Sequence, residues 1–152
     1  MAAYQLPPFV YPTVLMGVCA AATMRGKDDE RLAAGGMLAA WALTLVTYRR
    51  TDQTMWGVFA VDVVLLALLI WIALRSPRYW PLFAAGFHFL TIFTHLAKTA
   101  NPTLGGWAYV TAEIIWSYLA LFAIGYGAWT APAIYSAFAT EPVTDGDTDT
   151  RR

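Results

Sequence analysis

Apolar residues fill this chain in five blocks, separated by short polar stretches such as "RGKDDER", "YRRTD" and "RSPR". The blocks cover about 8–24, 32–48, 55–74, 79–97 and 104–129. About 20 apolar residues in a helix cross the ~30 Å hydrocarbon core of a bilayer. The pattern therefore predicts an all-α protein, a polytopic transmembrane helix bundle of five spans with short loops. The second block, 17 residues long, is at the short end of a span. Four spans, with one segment lying in the interface, is the alternative. Short connections make consecutive helices antiparallel neighbours. The helical domain is expected over 1–140. The remainder, 141–152, is acidic and lacks large apolar residues, so it is expected to be disordered.

Local signals refine these segments. "RSPRYWP" puts Pro77 and Pro81 around the third turn, with Trp80 as an interfacial anchor. In "NPTLGG", Asn101 can cap a helix that carries Pro102 in its first turn. Asp28, Asp29 and Glu30 precede the second block, where carboxylates complement a helix dipole. Helices in lipid gain little by hydrophobic burial, so small residues that let backbones approach matter more. Gly35 with Ala39, Gly36 with Ala40, and Gly17 with Ala21 have the required spacing. They are read as packing faces within the chain, with a dimer seam as the alternative. The last block is aromatic at Trp107, Tyr109, Trp116, Tyr118, Phe122, Tyr126 and Trp129. Its end residues fit the aromatic belts, and Trp116 and Tyr118 fit contacts with other helices.

Composition agrees with a membrane location. The chain is 59% apolar and 13% charged, against about 45–50% and about 25% in soluble domains. Formal net charge is zero and no basic stripe exists, which leaves nucleic-acid binding without support. The single cysteine, Cys19, allows neither an intramolecular disulfide nor a multi-cysteine metal site. No Lys or Arg precedes it, and Val18 occupies the position before it, so the first helix is expected to be retained rather than cleaved. Arg25, Lys27, Arg31, Arg75 and Arg78 fall on one side of a five-span bundle, and Arg49, Arg50 and Lys98 on the other. The positive-inside bias then puts the N-terminus outside and the C-terminus in the cytoplasm, across a bacterial inner membrane.

One stretch carries the candidate chemistry. "GFHFLTIFTHLAK", Gly86 to Lys98, holds both histidines of the chain. With the tyrosines set aside, only Asp62, His88, His95 and Glu113 are ionisable and well inside the apolar blocks. A charge at mid-membrane costs at least ~2.5–3.5 kcal/mol, so such groups turn inward and pair. At 1.5 Å per residue, Asp62 is about 10 Å deep and Glu113 about 13 Å, between His95 at about 3–5 Å and His88 at about 15 Å. Seven residues on a helix is 20° short of two turns, so His88 and His95 share a face with Thr91, and Lys98 continues it. These residues predict a polar cluster of Asp62, His88, Thr91, His95 and Glu113, rimmed by Arg49, Arg50 and Lys98.

Four kinds of chemistry suit such a cluster. Carboxylates and imidazoles can relay protons. They also suit zinc or iron, although the imidazoles, ~10 Å apart along one helix, cannot share one ion. The same separation excludes a haem held by both histidines of one chain, leaving a single ligand or a haem between chains. His88 with Thr91 can hydrogen-bond a quinone carbonyl. Beside these stands a structural role, Asp–His and Glu–His hydrogen bonds that fix helix register. The chain has no nucleophile–base pair, phosphate loop or HExxH, so enzymatic activity ranks third, behind the two readings that follow. By size and hydropathy it resembles the small polytopic inner-membrane proteins of bacteria, a likeness that carries no motif. The expectation is a non-catalytic accessory or assembly subunit. The alternative is a proton-coupled carrier, or a redox-linked protein using metal, haem or quinone. Its expected partners are the lipid bilayer and either further copies of itself or a larger membrane complex.

Overall fold

The computed structural model describes residues 9–47 and 56–139, with side chains described as far as Ala131. Arg49, Arg50, the connection containing them and the acidic tail lie outside the described residues. All regular structure among the described residues is helical: α1 (Val10–Arg25), α2 (Asp28–Thr47), α3 (Trp56–Arg75), α4 (Trp80–Ala100) and α5 (Gly106–Ala139).

Three of the five, α3, α4 and α5 over Gly106–Ala131, are long and apolar enough to cross a membrane. Helix α1 has 16 residues. Helix α2 has 20, but opens on Asp28, Asp29, Glu30 and Arg31. Its apolar remainder, 32–47, rises about 24 Å, short of a ~30 Å core.

Each helix packs on its neighbour in sequence, and α1 returns to α5, closing a five-membered ring in which α5 also touches α2. Leu15, Met37, Leu65, Leu69, Ile72, Leu121 and Ile124 fill the interior. Val64, Leu74, Phe83, Phe93 and Phe122 point outward and are exposed. A soluble bundle would put polar side chains there, so the apolar exterior matches lipid as the solvent.

The loops differ from expectation at one place. Asn101 ends α4 instead of starting the next helix: its backbone N–H donates to Ala97 O. Its side-chain oxygen accepts from the Thr103 N–H at 3.2 Å, an Asx turn that bends the chain back. Helix α5 then begins at Gly106, so Pro102 is in the loop and not in a first turn. At the other turn Pro81 does sit in the first turn of α4, where its missing N–H costs nothing.

The small-residue faces divide. A Cβ on Gly36 would come within 2.5 Å of the Leu68 side chain, so this glycine sets the α2–α3 approach. Gly17, Gly35 and Ala39 are exposed, and a Cβ on Gly17 or Gly35 would meet nothing within 4 Å. The reading of intrachain packing is therefore corrected for those two glycines, because helical phase turns them away from the ring.

A second correction concerns buried charge. Asp62, His88, His95 and Glu113 are not the only ionisable groups inside. Glu30 is 0% exposed and is ion-paired with the buried Arg78. The Trp80 indole N–H donates to Glu30 Oε1 at 2.9 Å. Arg78 Nη2 donates to Gly127 O at 2.8 Å and to Thr130 Oγ1 at 2.6 Å. Trp80 is thus a core residue and not an interfacial anchor, and Glu30 does more than complement a dipole. The reason is tertiary: the first turn of α2 lies against the α3–α4 turn and the α5 backbone. This cluster closes one end of the bundle, where Arg25 also stacks on Trp129. Tyr11, Thr44, Val58, His95 and Tyr109 mark the other end. All five helices run between the same two ends.

Candidate functional site

Helix α4 turns one polar face inward. His88, Thr91, His95 and Lys98 are 3, 2, 1 and 8% exposed, while Phe89, Phe93 and Leu96 face out. The 3.6-residue period makes this so, because steps of three and four keep side chains on one stripe.

Asp62 reaches this face from α3 and lies between the two imidazoles. Its Oδ2 is 3.0 Å from His95 Nε2 and its Oδ1 is 3.7 Å from His88 Nε2. His88 Nε2 also lies 3.1 Å from the backbone oxygen of Asp62. A carbonyl only accepts, so His88 Nε2 carries the proton and donates it there. From α5, Glu113 Oε2 stands 3.4 Å from His95 Nε2. One ring nitrogen therefore faces two carboxylate oxygens, yet can donate at most one N–H. The other nitrogen, Nδ1, is 2.7 Å from the Tyr109 hydroxyl. Phe59 meets the same ring edge-on, with centroids 5.5 Å apart, so His95 is held on several sides.

Tyr109 is the residue that sequence reading missed. Its place near the end of the last apolar block suggests an aromatic belt, but it is buried, and its hydroxyl is engaged inside the bundle. A signal was present: Tyr109 and Glu113 are four apart and share a face of α5.

Two other expectations change. Thr91 is buried, but its hydroxyl has no hydrogen-bond partner among the described residues and does not line the cavity beside the cluster. Lys98 is no open rim: its Nζ donates to Pro102 O at 3.0 Å and Leu104 O at 2.6 Å. It staples the α4–α5 loop to the end of α4.

The cluster forms one wall of a cavity of about 270 Å³ lined by residues of all five helices. Its lining comes from Tyr11 on α1, Met37, Trp41 and Thr44 on α2, Asp62 and Leu65 on α3, His88 and His95 on α4, and Tyr109 and Glu113 on α5. That volume lies at the small end of ligand pockets, which run to ~300–1,000 Å³. It suits ions, water or one small ring rather than a haem macrocycle. Within the wall, Asp62, His95 and Glu113 present three metal-ligand atoms within 4.8 Å of one another. His88 is outside that triad. Its Nδ1 and Glu113 Oε1 are buried without a hydrogen-bond partner among the described residues. Buried polar atoms in folded proteins nearly always have one, so each orphan marks a place for water, a proton or a ligand.

No protein-family model matches the chain, and neither curated proteins nor solved structures gave a match.

Proposed function

We propose that this chain is a proton-linked integral membrane carrier whose working site is the five-helix cavity and its Asp62–His95–Glu113 wall. The observation that carries the reading is the convergence of two carboxylate oxygens on one imidazole nitrogen, at 3.0 and 3.4 Å. Two ionised carboxylates in an apolar interior repel one another and lose their hydration. The arrangement is stable only with positive charge supplied between them, as protons or as a cation. The cavity gives that charge a route in, and a change of occupancy must change the protonation of the cluster.

In this reading the protein is a five-span protein of a bacterial inner membrane, with its N-terminus outside, its C-terminus cytoplasmic and the cavity toward the outer side. Support for five spans comes from packing: α1 and α2 lie in one ring with the three apolar helices, and α2, at 20 residues, equals α3 in length. The test uses purified full-length protein in nanodiscs. Its infrared spectrum should contain a carboxylic-acid band that responds to pH between about 5 and 8, the imidazole range. The band should shrink in Glu113→Gln and in Asp62→Asn. A spectrum with no pH-responsive carboxyl band would overturn the reading.

A second reading, the accessory subunit, has its own support. Gly35 and Ala39 form an outward small-residue face on α2, the kind of surface on which another transmembrane helix packs. Gly35→Leu should then dissociate a complex isolated from native membranes. A chain that is monomeric before the substitution sinks this reading.

A further inference from the structure

We infer that the cation taken into the cavity is a first-row divalent transition metal, zinc(II) or iron(II), held by Asp62 Oδ2, His95 Nε2 and Glu113 Oε2. The inference rests on the reading of this cavity as the working site and names the class of its cargo.

Geometry is the first support. Metal–ligand bonds of ~2.0–2.2 Å in a tetrahedron put neighbouring ligand atoms about 3.3 Å apart. The His95 nitrogen is 3.0 Å from one carboxylate oxygen and 3.4 Å from the other, and all three atoms lie within 4.8 Å. Both nitrogen–oxygen pairs are already at ligand spacing. Donor chemistry narrows the ion. One imidazole with two carboxylates suits zinc or iron, whereas calcium prefers six to eight oxygens and magnesium an octahedron rich in water.

The second support is what stands behind the ligands. A metal-bound histidine is oriented by a hydrogen bond from its other nitrogen. His95 has that partner in Tyr109, at 2.7 Å. When the Tyr109 oxygen accepts Nδ1–H, the Nε2 lone pair is aimed at both carboxylates, an arrangement that either protons or one metal ion between them relieves. Glu113 Oε1, buried and unpartnered, is available as a further donor. Because all three ligands line the cavity, the remaining coordination position faces open space.

Charge closes the account. The groups facing the site are Asp62, Glu113, His88, His95, Tyr109 and Tyr11, and the Lys98 ammonium is committed to loop carbonyls. Two negative carboxylates are balanced either by two protons or by one divalent ion. Entry of one metal ion therefore releases two protons and leaves the net charge of the cluster unchanged, as metal binding to protonated ligands requires.

The experiment titrates chelator-washed full-length protein in nanodiscs with cobalt(II), then with zinc(II), in weak buffer containing a pH dye. One ion per chain should bind, cobalt should give the visible absorption of a low-coordinate N/O site, and zinc should displace it. About two protons should appear per ion. Glu113→Gln should weaken binding at least tenfold, and Tyr109→Phe by about 10–100-fold. Circular dichroism and a thermal melt verify that each variant is folded, and Tyr109→Phe serves if Glu113→Gln is not. No saturable metal binding, or affinity unchanged in both variants, overturns the inference. If the carboxyl band responds to pH but no metal binds, the proton reading stands and the metal assignment falls. If metal binds without proton release, the metal assignment stands and the proton coupling falls.

Discussion

The Tyr109 hydroxyl holds His95 Nδ1 at 2.7 Å, while the opposite ring nitrogen meets Asp62 and Glu113. Residues from α5, α4 and α3 are thereby linked through one imidazole. Removing the hydroxyl should loosen all three. Tyr109→Phe leaves a buried ring nitrogen without its partner, which costs about 1–3 kcal/mol. Unfolding in mixed detergent micelles should record that loss, and Tyr109→Leu, which also removes the ring, should be worse.

Asp62 contacts both imidazoles. Asp62→Ala should destabilise the fold by about 3–5 kcal/mol, as expected when a buried pair loses one member. Asp62→Asn keeps an oxygen and the volume, so it should retain most of the stability while losing the proton and metal signals. A thermal melt of the two variants side by side checks the split. Equal stabilities would mean that Asp62 has no part in holding the helices.

At the other end of the bundle, Glu30→Ala or Arg78→Ala alone should each cost about 3–5 kcal/mol, because the remaining charge is buried without its partner. Replacing both by Met should cost less than the sum of the single changes. A double-mutant cycle measures the coupling, expected at about 0.5–3 kcal/mol for residues in direct contact. A cycle with no coupling would refute the pairing.

Gly127 and Gly35 give a contrast at two helical glycines. A Cβ on Gly127 would meet the Trp80 ring at 2.7 to 2.8 Å, whereas Gly35 has nothing within 4 Å. Gly127→Ala should destabilise by about 1–3 kcal/mol through overpacking. Gly35→Ala should leave the melting temperature of the isolated chain unchanged or slightly higher.

Much of this arrangement was legible in the chain. Five apolar blocks gave five helices, and the phase of His88 and His95 on α4 correctly turned them inward. Depth counting matched Asp62 and Glu113 to them, since a rise of 1.5 Å per residue is the same for every helix. Helix rotation was not legible, because blocks apolar on all sides carry no moment that says which face points in. Tyr109 looked like a belt residue for that reason. Glu30 and Arg78 were hidden differently. Each sits at a helix end, where charge normally meets water, and only the tertiary approach of α2 to the α3–α4 turn removes that water. Pro102 and Asn101 misled because a Pro beside an Asn is compatible with either side of a loop.

The Glu30–Arg78–Trp80 cluster gives the bundle a floor. Leu69, Ile72, Leu121 and Ile124 belong to the same buried core, and neither they nor the cluster's own side chains line the cavity beside His95. On the carrier reading proposed above, transit to the far side requires the Arg78 guanidinium to part from Glu30 and from the Gly127 carbonyl, which makes this ion pair a latch. Prising it open by Arg78→Ala should turn a tight vesicle leaky to protons, while the Asp62–His95–Glu113 wall remains intact.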